Sequence, residues 1–99
     1  MVALVLSKRA RKDLARVPSY IAEKARLWIA EVREGGLQRA QANAKWKDES
    51  KEGRLRRVRA IWLSREYRLF YDVKQEIPVV VTVLEVNRHD YKKIERRYR

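Results

Sequence analysis

The residues best suited to chemistry here are arginines, lysines and tryptophans set close together. Arg54, Arg56, Arg57 and Arg59 cluster just ahead of Trp62. Strand alternation sends Arg56, Val58, Ala60 and Trp62 to one face, and Arg57, Arg59, Ile61 and Leu63 to the other. Ile61 and Leu63 mark the core side, so Trp62 is expected on the opposite face beside basic residues. An exposed Trp next to arginines is a stacking platform for a single nucleic-acid strand. The competing reading is a ring that covers a neighbouring apolar patch. Trp46, between Lys45 and Lys47, repeats the pattern more weakly on a loop. Lys8, Arg9, Arg11 and Lys12 crowd the start of the first helix, where cations oppose the helix dipole. They form either a phosphate-facing patch or a solvated basic face. Lys92, Lys93, Arg96, Arg97 and Arg99 read as a solvated tail within reach of an RNA backbone.

The overall charge points the same way. The chain has 99 residues, enough for a single domain spanning 1–99, with 25 Lys+Arg against 13 Asp+Glu and a formal net charge of +12. So many uncompensated charges repel one another, and a bound polyanion relieves that repulsion. A soluble basic protein, or one neutralised by an acidic partner, has the same composition. Hydrophobic residues make up 45% of the chain and charged residues 38%, a globular balance rather than a disordered one. With no cysteine there is no disulfide and no thiolate nucleophile or metal ligand, which fits a reducing cytoplasm. One histidine, His89, without clustered carboxylates argues against a metal site. The apolar runs Val2–Leu6 and Ile77–Leu84 are too short for a signal core or a membrane span. No cofactor is expected.

The elements that must position these residues follow from periodicity. Val2 to Leu6 reads as a buried strand and Ser7 as an N-cap. Ala10, Leu14 and Val17 fall at helical spacing before Pro18 closes the helix. Ile21, Ala25, Trp28, Ile29 and Val32 make one apolar stripe, which Gly35-Gly36 ends. Leu37 to Ala44 is compatible with a further helical turn, and Lys45 to Gly53 reads as loop. Leu55–Leu63, Tyr67–Val73 and Ile77–Val86 are β-like runs with short gaps, an antiparallel meander. A short helix or frayed tail follows from Asp90. The expected fold class is α+β, ordered β-α-α-β-β-β with a short C-terminal helix. Two N-terminal helices pack on one face of a four-stranded, mainly antiparallel sheet, and the other face stays open.

Specific stretches of the sequence sharpen this. Arg59-Ala60-Ile61-Trp62-Leu63-Ser64-Arg65-Glu66-Tyr67-Arg68-Leu69-Phe70-Tyr71 resembles the central hairpin of RelE/ParE toxins. Glu85-Val86-Asn87-Arg88-His89-Asp90-Tyr91 is similar to the closing strand of the HigB- and YoeB-like branch, and Asp48-Glu49 falls where that branch carries a catalytic Glu. The resemblance covers nearly the whole chain. It departs at Trp62, where that branch usually has a basic residue, and at Ser50-Lys51, where it usually has Pro-Leu.

The resemblance implies a toxin of a type II toxin–antitoxin system. It implies metal-free cleavage of ribosome-bound mRNA through the RNA's own 2′-hydroxyl, with a cognate antitoxin, the ribosome and mRNA as partners. Arg68 would hold the phosphate with its planar fork. Glu49 would be the base and His89 the acid, or the reverse, because imidazole holds or gives a proton near neutrality. Tyr91 would orient the phosphate or stack on a base. Lys45, Trp46, Lys47, Arg56, Arg57, Arg59, Trp62 and Arg88 would bind the RNA. Ordinary roles compete at each position: Arg68 paired with Asp72, Glu49 a loop carboxylate, His89 a surface residue. The rival functions are a ParE-type toxin acting on DNA gyrase, a nucleic-acid-binding module without turnover, and a decayed toxin.

Overall fold

Ser7 sets the junction between the first strand and the first helix. In the computed structural model, which describes residues 2–50, 57–88 and 91–98, its Oγ accepts the Ala10 N–H at 3.0 Å and donates to the Leu84 carbonyl at 2.6 Å. The expected cap therefore also ties the helix to a distant strand. Strand β1 is Val2–Leu6 and helix α1 is Lys8–Arg16. Pro18 then caps α2, Ser19–Gly35, which buries Ile21, Ala22, Ala25, Trp28, Ile29 and Val32. That is the expected stripe, widened by one alanine. Gly36 ends the helix at φ 88, a conformation that glycine adopts without a Cβ clash. A short α3, Leu37–Ala42, and a 3₁₀ turn, Ala44–Trp46, follow.

Among the described residues the sheet has five strands, in the order β1-β5-β4-β3-β2. The added strand is β2, Glu49–Ser50, which pairs antiparallel with Ala60 and Arg59. Its two polar residues carry no strand signal of their own, because only the partner edge makes them extended. β3 is Val58–Trp62, β4 Tyr67–Lys74 and β5 Val79–Arg88. The last begins two residues later than expected, past Pro78, whose nitrogen cannot donate to a ladder. β1 runs parallel to β5, and the other pairings are antiparallel, so the helices together with β2–β4 form the long connection that a parallel pair requires. α1 takes over the outer edge of β5 where β1 ends: Ser7 N–H donates to Val83, and Asp13 accepts the Val86 N–H at 3.0 Å.

The main core lies between the helices and one sheet face, with Trp28, Val32, Ile61, Leu63, Leu69, Tyr71, Val81 and Val83 at its centre. The expectation of an open second face is corrected by α4, Tyr91–Arg97. Ile94 is fully buried against Val58, Ala60 and Phe70, with Leu84 and Tyr98 half-buried beside them. The C-terminal segment is accordingly more than a solvated tail. Glu85, wholly buried on this face, accepts Arg97 Nη1 at 2.6 Å and the Tyr98 hydroxyl at 2.7 Å. A carboxylate out of water needs such partners, and here they fasten the helix.

Candidate nucleic-acid interface

Antiparallel register decides which predicted residues meet. Trp62 on β3 is directly opposite Arg68 on β4, and Arg68 is opposite Asn87 on β5. Directly opposed residues share a face. Glu49 opposes Ala60 and therefore joins the same face, two positions from Trp62. Lys47 adopts the left-handed conformation, φ 48, just after the 3₁₀ turn, and sets its Nζ 4.2 Å from the centroid of the Trp62 ring. Lys47, Glu49, Trp62, Arg68 and Asn87 thus lie on the sheet face opposite the helices, past the patch that α4 covers.

Arg68 does not stand in this group as expected. It is only 4% exposed. Its Nη1 donates to the carbonyls of Ser64, Arg65 and Tyr67 at 2.8, 3.1 and 3.2 Å, and its guanidinium lies over Trp62 at 3.8 Å. The carbonyls around the β3–β4 turn therefore engage one nitrogen, Nη1, of the fork that a phosphate would need. The alternative partner, Asp72, is not joined to it among the described residues. Trp62 is half-buried, with both cations over its ring instead of a bare stacking surface. Asn87 was missed from sequence, since a lone asparagine on a strand carries no signal. Its Nδ2 donates to Glu85, while its Oδ1 and Arg68 Nε are buried without hydrogen-bond partners. An unpartnered acceptor and an unpartnered donor on opposed residues are costly in a folded interior.

Several predicted RNA contacts lie elsewhere. Trp46 is a core residue, 2% exposed, with Nε1 donating to Glu31 at 2.9 Å. Its neighbour Lys45 is exposed but lies over the Trp46 ring, 4.8 Å from the centroid. Arg59 faces the helix side, where it pairs with Asp48 at 2.6 Å. That carboxylate also takes the Tyr71 hydroxyl, which Gln41 meets from the other side at 3.1 Å. Burial, reinforced by Asp48, pushes the Tyr71 pKa well up, while the Arg59 pKa also rises because Asp48 outweighs the effect of burial. The cluster buttresses the β2–β3 edge instead of facing a ligand. Arg88 opposes Tyr67 on the helix side, exposed, with a solvent-screened contact to Glu66 at 3.8 Å. Arg57 is exposed just ahead of β3. Arg56, His89 and the side chain of Tyr91 lie outside the described residues. Among the described residues no group of three or more His, Cys, Asp or Glu is placed to hold a metal ion, and no helix is long and apolar enough to cross a membrane.

The helix-backed mixed sheet is similar to the folds of solved RelE- and YoeB-type toxins. The model of the ParE toxin of type II toxin–antitoxin systems, parDE, matches residues 4–93, and the chain belongs to that family. No curated protein matches it. Among solved structures it is similar to the YoeB/ParE toxin from Agrobacterium tumefaciens, with TM-score 0.71 and 19% identity over 89% of this chain and 99% of that one. YafQ from E. coli strain BL21(DE3) gives TM-score 0.71 and 12% identity, over 90% and 94%. The E. coli DinJ–YafQ toxin–antitoxin complex gives 0.68 and 15%, over 87% and 90%. At these identities the likenesses establish the fold, and the family match bears out the resemblance to RelE/ParE toxins.

Proposed function

We propose that this toxin is a metal-free endoribonuclease that cuts ribosome-bound mRNA in the cytoplasm, and that a cognate antitoxin silences it. The observation that carries the reading is the gathering of Lys47, Glu49, Trp62, Arg68 and Asn87 on one face, next to the end of β5 where His89 follows in sequence. In the proposed reaction the 2′-oxygen attacks the adjacent phosphorus and the 5′-oxygen leaves. Glu49 takes the hydroxyl proton and His89 supplies one to the leaving oxygen, each such transfer being worth roughly 10²–10⁴ in rate. Arg68 and Lys47 offset charge on the phosphorane, and Tyr91 orients the phosphate. Arg68 reaches it once the strand displaces its turn carbonyls. YafQ has been solved in complex with DinJ, and RelBE2 from Mycobacterium tuberculosis as a toxin–antitoxin complex. Those precedents, with the +12 charge of this chain, support an antitoxin partner here.

A specific pair of observations favours a second reading, a ParE-type toxin acting on DNA gyrase: Arg68 is buried with its Nη1 held by backbone carbonyls, and Trp62 stands where the related nucleases usually carry a basic residue. Purified toxin added to translating ribosomes decides between them. Cut mRNA at the decoding site, lost in His89→Gln, is the expected result. Intact mRNA together with stalled gyrase–DNA complexes would overturn it in favour of the second reading.

A further inference from the structure

The carboxylates around α1 are turned inward. Asp13, the only acid in α1, accepts the Val86 N–H. Burial holds its pKa above the ordinary 3.8. Glu85, on the neighbouring strand, is consumed by Arg97, Tyr98 and Asn87. Arg9 of α1 and Arg97 of α4 both act electrostatically on Asp13 and on Tyr98.

What α1 shows to solvent is therefore almost entirely cationic: Lys8, Arg9, Arg11, Lys12 and Arg16, with Ala15. Its first turn has no acid to complement the helix dipole. No ion pair among the described residues uses any of these five cations. α4 adds the exposed Arg96, next to Arg97. The exposed large apolar residues, Val5, Tyr20, Leu27 and Ile77, all lie outside both helices. A protein-binding surface concentrates aromatic and aliphatic anchors at its centre. A nucleic-acid surface is polar and strongly positive. This patch has the second composition. From Lys8 to Arg16 it runs about 12 Å at 1.5 Å per residue, long enough to face several phosphates of a duplex. It flanks the outer edge of β5, two strands from Trp62 on β3.

We infer that the exposed face of α1, extended by α4, docks the phosphate backbone of structured RNA without reading its bases, apart from the strand held at Trp62 and Arg68. This rests on the RNA-directed reading above and adds a second contact to it. The test measures binding of a short, blunt, labelled RNA duplex to the toxin by fluorescence anisotropy across a salt series. The combined variant Lys8→Gln/Arg11→Gln/Lys12→Gln should melt like wild type. It should lose on the order of 100-fold in affinity at ~0.1 M salt. Its log K against log salt slope should flatten by roughly 1 per lost contact, roughly 3 in all. The charge-retaining Lys8→Arg/Arg11→Lys/Lys12→Arg should bind like wild type. Unchanged affinity and slope in the glutamine variant overturn the inference. So does a glutamine variant that still binds the duplex but no longer binds polyglutamate, which assigns the surface to an acidic protein. A wild type that binds the duplex through these residues yet never cuts mRNA sinks the nuclease and leaves this surface standing. Cleavage of mRNA by a wild type whose glutamine variant keeps full duplex binding does the reverse.

Discussion

The guanidinium of Arg68 lies 3.8 Å from the centroid of the Trp62 ring, across the β3–β4 ladder from it. With three turn carbonyls on the same side chain, Arg68 is a structural residue before it is a phosphate ligand. Arg68→Ala removes charge-assisted hydrogen bonds and a cation–π contact together, so unfolding free energy should drop by about 2–4 kcal/mol. Loss of growth arrest in this variant must then be read beside urea denaturation. Arg68→Lys keeps the charge without the fork and should recover only part of the stability. Wild-type stability in Arg68→Ala would mean the turn carbonyls do not depend on it.

Trp46→Phe separates packing from RNA contact. An aromatic ring is kept, but the smaller side chain leaves a cavity and Glu31 loses its indole donor, so the expected change is about 2–3 kcal/mol of stability. RNA affinity should not move, because the side chain is buried. A selective loss of RNA affinity with unchanged melting would return Trp46 to the binding surface.

Around Glu85 the two halves of the ion pair are unequal. Arg97→Ala leaves a buried carboxylate short of its cation and should cost about 3 kcal/mol. Glu85→Gln removes the charge itself and lets Arg97 turn to solvent, so it should cost less. Chemical denaturation of the two variants gives the order, and a reversed order would mean that α4 is not held through this carboxylate.

Alkaline pH should loosen the fold through two tyrosines. Burial first, then a carboxylate bond, raises the pKa of both Tyr71 and Tyr98 above the ordinary 10.0. The unfolded chain releases these protons from pH 10 upward while the folded chain retains them, so stability falls as pH rises past 10. Each tyrosine contributes a slope of up to about 1.4 kcal/mol per pH unit. Tyr98→Phe should flatten the fall of unfolding free energy above pH 10 by nearly one proton's worth. An unchanged slope would show that Tyr98 titrates normally.

Much of this molecule is legible in its periodicity. The stripe Ile21, Ala25, Trp28, Ile29 and Val32, the Ser7 cap, the stop at Gly35-Gly36 and the three-strand meander are local patterns, and local stereochemistry makes them. The hairpin and closing strand also carried the family. β2 was not legible, because Glu49 and Ser50 are extended only where Ala60 and Arg59 hold them. The α4 cover was not legible either, since a lone Ile94 among charged residues makes no apolar stripe and is buried only because Val58, Ala60 and Phe70 lie under it.

The sequence by itself determined the helices, the meander, the surplus of positive charge and membership of a toxin family, since each depends on residue type and short-range spacing. Only the tertiary structure decided which charges are free. It put Trp46 in the core, bound Arg59 to Asp48 and folded Arg68 back on its own turn, while leaving the α1 cations facing water. Whether a charged or aromatic side chain faces solvent is set by what packs over it from distant parts of the chain, and that is a property of contacts rather than of order along the backbone.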